Sequence, residues 1–145
     1  MGHADRLIRA ARVLSNCLDP LQFRAPVTHV YNPLRHAGRG YRRYLRRFVD
    51  GPKRVGFLGM NPGPYGKTQT GVPVGEVASG RDWLRIEERI DQPVNEHPKR
   101  RVDGFACTRR EVSGARLWGA IAAHWENPAA FFRDHFIANY CPLVF

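Results

Sequence analysis

Cysteine is scarce in this chain: Cys17, Cys107 and Cys141 stand far apart, with no CxxC, among 145 residues. An odd and sparse count argues against a disulfide framework and for a reducing compartment. It also cannot supply the four thiolates that an iron–sulfur cluster normally takes. Long apolar runs are missing as well. The longest are short pieces such as residues 55–60, far below the roughly 20 residues that span a bilayer. The amino terminus has no apolar signal core. Acidic residues are the third deficit, with 13 Asp and Glu against 23 Lys and Arg and a formal charge of +10. So basic a domain suits a polyanion, nucleic acid above all. There is no internal repeat and no low-complexity tract, and the length with 43% hydrophobic residues fits one small domain.

The apolar periodicity predicts the order of elements. Leu7, Ala11, Leu14 and Leu18 recur at helical spacing, giving an amphipathic helix over residues 5–18 that stops before Pro20. Tyr41, Tyr44, Leu45 and Phe48 give a second helix near 37–49, ended by Asp50-Gly51-Pro52. Its other face carries Arg39, Arg42, Arg43, Arg46 and Arg47 with no acidic residue between them. Residues 55–60 read as a strand buried on both faces, as in a parallel sheet. A long loop follows over residues 61–80, broken by Pro62, Gly63, Pro64, Gly66, Gly71, Pro73 and Gly75. Loops of that length in a compact domain usually carry function. A short helix is expected around Trp83, Leu84 and Ile86, then a polar segment rich in Pro, Lys and Arg. Ser113 predicts the N-cap of a helix with Trp118, Ile121, Ala122 and Trp125 on one face. Asn127-Pro128 ends it and opens a short helix through Phe132, and residues 136–140 read as a second strand. This order predicts an α/β fold, a three-layer α/β/α arrangement with a parallel sheet. The chain finishes on the apolar Leu143-Val144-Phe145. We therefore expect an incomplete domain, cut short on its C-terminal side.

Three local patterns invite a chemical reading. Asn61-Pro62-Gly63-Pro64-Tyr65-Gly66-Lys67-Thr68 is one residue from the phosphate loop GxxxxGK[ST], Asn61 standing where the first glycine belongs. That motif needs a helix directly after the threonine, which residues 69–75 are too rich in breakers to supply. His124-Trp125-Glu126 matches half of a zinc-deaminase signature, but no PCxxC accompanies it. The arginine face of the second helix, with His97-Pro98-Lys99-Arg100-Arg101, suggests phosphate contacts. Arg42, Arg43, Arg46, Lys99 and Arg100 would position a nucleic acid without reading its sequence.

The loop carries a further likeness. Gly59-Met60-Asn61-Pro62-Gly63-Pro64-Tyr65-Gly66, followed by Gln69-Thr70-Gly71-Val72-Pro73-Val74-Gly75-Glu76-Val77, resembles the first active-site motif of the single-strand-selective monofunctional uracil-DNA glycosylases. Tyr31-Asn32-Pro33 and Gly51-Pro52-Lys53 precede it. Arg81-Asp82-Trp83-Leu84, Glu96-His97-Pro98-Lys99-Arg100, Glu111-Val112-Ser113-Gly114-Ala115-Arg116 and Asn139-Tyr140-Cys141-Pro142-Leu143 follow in family order. The resemblance covers about residues 28–145 and implies that residues 1–145 form a uracil-DNA glycosylase-like domain, truncated at its C-terminal side. The activity it implies is hydrolysis of the N-glycosidic bond of uracil and 5-substituted uracils, such as 5-hydroxymethyluracil, in single- and double-stranded DNA. The product would be an abasic site. Asn61 would be catalytic and orient the attacking water, as a positioning amide and not a strong base. Asn139 would pair with the edge of a base flipped out of the stack, its amide offering donor and acceptor together. Met60, Gly63, Tyr65 and Val74 would complete the substrate pocket, and Gly63, having no side chain, would leave room beside C5 of the base. Two departures stand out. Val74 occupies a position where the family usually has an aromatic ring. The family's second motif, a His-Pro-Ser-Pro-Arg-like segment, is absent. The alternative is therefore a catalytically impaired DNA-binding fragment. The expected partner is DNA containing uracil or oxidised pyrimidines, with no cofactor, no metal and no membrane. The chain would act as a monomer inside the cell, where the DNA is.

Overall fold

The computed structural model describes all 145 residues. Helix α1 (His3–Leu18) forms where expected, but only Ala11 and Leu18 of the predicted stripe lie on its covered side. Ala4 and Ile8 pack on the core and Ser15 is buried, whereas Leu7 and Leu14 are exposed. The reason is polar. Asn32 donates to the Ser15 carbonyl (3.2 Å), to Ser15 Oγ (3.1 Å) and to Asp19 (2.8 Å), and Arg35 pairs with Asp19, which fixes how the helix is turned. Helix α2 (Pro33–His36) leads directly into α3 (Gly38–Phe48), whose apolar side chains Tyr44, Leu45 and Phe48 point inward as the spacing predicts.

Strands β1 (Val55–Gly59) and β2 (His135–Asn139) pair in parallel, with Val55 opposite His135 and Gly59 opposite Asn139. The α/β character and the parallel pairing are thus as expected. Burial of β1 is not. Val55, Phe57 and Leu58 are exposed, Leu58 by 65%, because the sheet has two strands and β1 has a neighbour on one side only. β2 is better covered. Its outer edge is closed by the Tyr44 hydroxyl, which donates to the Ile137 carbonyl (2.8 Å) and accepts from the Ile137 N–H (3.3 Å). A side chain from α3 there does the work of another strand.

After β1 the chain makes one helical turn, α4 (Lys67–Thr70), then a π-helical turn (Ser79–Trp83) and a 3-10 turn (Gly104–Ala106). The π-helical turn stands where a short helix around Trp83 was predicted. Helices α5 (Val112–His124) and α6 (Pro128–Phe132) complete the order. Ser113 is not the N-cap of α5. The helix begins two residues earlier, with Glu111 at the cap position and its side chain turned elsewhere. Asn127 does cap α6, accepting from the Ala130 N–H at 2.9 Å. Tyr44, Leu45 and Phe48 of α3, Trp118 and Ile121 of α5, Phe131 and Phe132 of α6, and Ile137 of β2 share one apolar core. Phe48 and Phe132 stack within it, ring centroids 4.0 Å apart. Full burial of each such side chain is worth roughly 1.5–3 kcal/mol. No helix is long and apolar enough to cross a membrane.

Candidate functional site

The parallel register brings the C-terminal ends of β1 and β2 level, the place where α/β sheets hold their ligands. The chains stay together past the strands, since Tyr140 N–H donates to the Gly59 carbonyl and Cys141 N–H to the Met60 carbonyl, both at 2.8 Å. The loop after β1 and Asn139 at the end of β2 are therefore held side by side. A Cβ placed on Gly59 would lie 2.9 Å from Val74 Cγ2 and 3.0 Å from Asn139 Nδ2. Gly59 thus marks where Val74 and Asn139 come together. Val74 has φ +50°, a left-handed conformation that is costly for a β-branched residue. Its carbonyl is fixed by the Trp118 indole N–H at 3.1 Å. Strain of this kind, roughly 1–3 kcal/mol, persists where the surroundings dictate it, and it gathers at functional sites.

Asn139 carries the most telling feature. Both atoms of its side-chain amide are buried, and neither has a hydrogen-bond partner within the protein. A buried donor or acceptor left unpaired costs about 1–3 kcal/mol, so native structures contain few.

The loop itself is tightly braced. Gly63 C=O accepts from Thr68 Oγ1 at 2.8 Å, and Thr70 Oγ1 donates to the Gly66 carbonyl at 3.1 Å. Gln69 is wholly buried and spends its entire hydrogen-bonding capacity on two loops. Its Nε2 donates to the carbonyls of Pro64 and Arg101, and its Oε1 accepts from the N–H groups of Asp103 and Gly104, all four at 2.9 Å. His36, also buried, reaches the Thr68 carbonyl at 2.9 Å, and burial lowers its pKa. Gly71 ends α4 at φ +78°, where a Cβ would meet the Tyr41 N–H nitrogen at 2.6 Å, so only glycine fits between α4 and α3.

One helical turn includes Thr68, but Gly71 ends it and no helix continues through residues 71–75, as their breakers predict, so the loop is not a phosphate loop. Lys67 is buried, with its ammonium over the Tyr41 ring at 4.4 Å, and desolvation lowers its pKa to about 8. The cation that would meet a phosphate faces an aromatic ring instead.

Asn61 lines a groove of about 440 Å³ with Tyr31, His29, His97, Lys99 and Arg100. The Tyr31 hydroxyl shapes the 97–100 turn, accepting from His97 N–H and donating to the Arg100 carbonyl, each at 2.7 Å. Two of the sequence-predicted cations, Lys99 and Arg100, thus share a groove with Asn61. Arg42, Arg43 and Arg46 do not line it; they are exposed on α3, with Arg43 at 4.0 Å from Glu88. Met60 is 80% exposed at the end of β1. Tyr65 is half-buried beneath the Arg109 guanidinium, 4.6 Å from its ring centroid.

The space beside Gly63 differs from expectation. A Cβ there would overlap the Glu111 carboxylate, which accepts from the Tyr65 N–H at 3.1 Å. The room is not open: Glu111 occupies it. Sequence reasoning missed Glu111 and Gln69. The block around Glu111 was visible as part of the family likeness, but nothing in it signals a carboxylate turned back onto the Gly63 loop. Gln69 offers no signal beyond its place in the motif.

No family model matches the chain. Among curated proteins, it is 52% identical over 128 residues to the single-strand selective monofunctional uracil-DNA glycosylase of Rattus norvegicus, covering 88% of this chain and 46% of that protein. The Bos taurus protein of the same name is 50% identical over 141 residues, covering 97% of this chain and 52% of that protein. Among solved structures, wild-type Pedobacter heparinus SMUG2 superposes with a TM-score of 0.63 at 19% identity, over 99% of this chain and 54% of that one, which shows a shared fold. The chain spans about half the length of the curated relatives it matches. At about half identity over nearly all of its residues, the chain is similar to part of the single-strand selective monofunctional uracil-DNA glycosylases of these mammals.

Proposed function

We propose that this chain carries the base-recognition half of a DNA repair glycosylase, one that hydrolyses the N-glycosidic bond of uracil and of oxidised 5-substituted uracils to leave an abasic site. The observation that carries this reading is the Asn139 amide, buried with donor and acceptor both unpaired. Uracil presents a carbonyl at C4 beside the N3–H, an acceptor next to a donor, and one amide can satisfy both. The unmet cost of about 1–3 kcal/mol per atom is then recovered when the base arrives.

Asn61 would aim a water at C1′ of the sugar, as an amide that positions and does not ionise. Lys99 and Arg100, on the rim of the groove that Asn61 lines, would hold backbone phosphates of the DNA. Val74 would give apolar contact to the base face without the stacking of a ring, which is worth roughly 1–3 kcal/mol per base.

A uracil-containing single-stranded oligonucleotide, treated with alkali after incubation, tests the proposal. Strand scission that disappears in Asn61→Ala supports it; scission unaffected by that change removes Asn61 from the chemistry. A second reading rests on Val74, which has no ring to stack on a flipped base: DNA binding without turnover. It predicts salt-dependent affinity with no scission in any variant.

A further inference from the structure

A cavity of about 620 Å³ opens at the end of the sheet away from Asn61 and Asn139. Phe48, just before β1, and Phe132, just before β2, line it, which places it at the N-terminal ends of the strands. Strands of five residues put roughly 17 Å between it and the loop after β1. Trp83 also lines it, half-buried and packed against Trp118 with ring centroids 6.0 Å apart. Most of the charges around the cavity are already paired. Lys53 holds Asp50 at 2.6 Å, Arg81 holds Asp82 at 2.8 Å, and Arg133 meets Asp134 at 3.4 Å. Arg47, Arg85 and Glu126 have no ion-pair partner, so two free cations stand against one free anion. Arg47 Nη1 donates to the Arg85 carbonyl at 3.4 Å, which brings the two arginines together. Arg85 has φ +56°, and the only other non-glycine residue with positive φ is Val74, beside Asn139. Glycine would hold that turn at lower cost, so what arginine adds there is its side chain.

We propose that this cavity is a second nucleic-acid contact, taking one nucleotide of a single-stranded DNA: the base against Trp83, its phosphodiester between Arg47 and Arg85. A net single positive charge beside an aromatic ring matches the repeating unit of a DNA strand, one anionic phosphodiester with one planar base. Guanidinium groups suit phosphate oxygens by their paired N–H groups. Stacking on an indole accepts any base but needs its face free, which a duplex does not offer. The arginine face of α3 leads there. Arg42 and Arg46 are exposed without a carboxylate partner. Helix α3, with 11 residues about 16 Å long, runs from Gly40, packed on the Thr70 carbonyl, to Phe48 in the cavity. A strand leaving the Asn61 loop thus has a basic track to follow, and the five arginines of α3 acquire a common purpose. The contact sets where the strand lies and reads no sequence.

The test is binding of a fluorescein-labelled oligothymidylate of about 12 nucleotides, within the span that single-strand binders cover. It carries no uracil, so failure of the uracil reading leaves the answer untouched. The 145-residue chain is compared with Arg47→Gln, Arg85→Gly and Trp83→Leu, and with Arg12→Gln, which removes the same charge from the exposed side of α1. The first three are expected to weaken binding by about fivefold or more, and Arg12→Gln by less than about twofold. Each arginine lost from the cavity should also lower the slope of log affinity against log salt by about 0.7. Arg85→Gly relieves a strained residue, so it should melt no lower than the parent chain, and its lost affinity is then not unfolding. Affinities of Arg47→Gln and Arg85→Gly within about twofold of the parent overturn the proposal, and so does an equal loss in Arg12→Gln, which makes the effect one of total charge. Free thymidine 5′-phosphate at matched nucleotide concentration should leave the oligomer bound. Displacement by it would make the cavity a mononucleotide site and overturn the assignment to a DNA strand.

Discussion

The Lys67 ammonium lies 4.4 Å from the centroid of the Tyr41 ring, and no carboxylate pairs with it. Cation–π attraction in a desolvated setting is worth about 2 kcal/mol, less than an ammonium loses on leaving water. Burial therefore wins, and the Lys67 pKa falls from 10.5 to about 8. Between pH 8 and 10.5 the unfolded chain holds a proton at Lys67 that the folded chain has released. Stability must therefore rise with pH through that window, by up to about 3 kcal/mol. Below pH 8 both states are charged and the full cost of burial is present. Lys67→Met is expected to raise stability at pH 7 by about 1–3 kcal/mol and to flatten the rise from pH 8 to 10. Urea denaturation of both proteins at pH 7, 8, 9 and 10 reads both effects.

Gln69 is the fastening between the loop after β1 and the chain at residues 101–104. In Gln69→Leu the volume is nearly kept, but two N–H groups and two carbonyls lose their partner. The expected loss of stability is about 3 kcal/mol or more, at 1–3 kcal/mol for each group that stays buried and unpaired. Amide hydrogen exchange should show Asp103 and Gly104 losing protection before the core helices do. Equal loss everywhere would mean that Gln69 supports the whole fold and not this junction.

Asn139 pulls in the opposite direction. Because its amide is unpaired in the free protein, Asn139→Ala should leave stability unchanged or raise it by about 1 kcal/mol. The same change should cut uracil-dependent strand scission, or uracil-specific binding, by about tenfold to a hundredfold, the worth of one or two enclosed hydrogen bonds. Thermal denaturation and the alkali assay, run on one preparation, give both numbers. A clear fall in melting temperature would show the amide to be structural.

The skeleton of this molecule could be read from local pattern. The α3 stripe of Tyr44, Leu45 and Phe48, the Asn127-Pro128 cap and the two strands each follow from periodicity or turn chemistry that neighbouring residues decide among themselves. What escaped reading depends on distant partners. The turn of α1 is set by Asn32 and Arg35, far along the chain, and not by its own leucines. The exposure of β1 follows from how many strands flank it, which an apolar run does not record. At the site, the family likeness brought Asn61, Val74 and Asn139 into view, and Val74 and Asn139 do converge at Gly59. Glu111 could not be seen, because a glutamate before a helix normally reads as a favourable charge near the positive end of the helix dipole. Its turn onto Gly63 and Tyr65 is a tertiary fact.

The last rung of the ladder, Gly59 opposite Asn139, ties the tolerance of one position to the identity of another. Alanine at 59 would press on Val74 Cγ2 at 2.9 Å and on Asn139 Nδ2 at 3.0 Å, yet Gly59 itself need touch no ligand. Gly59→Ala alone should therefore turn the amide and weaken uracil binding, while in a Val74→Ala background the new methyl finds space. A double-mutant cycle should give a favourable coupling of about 1 kcal/mol. A chain that changes residue 74 thereby changes what residue 59 is free to become.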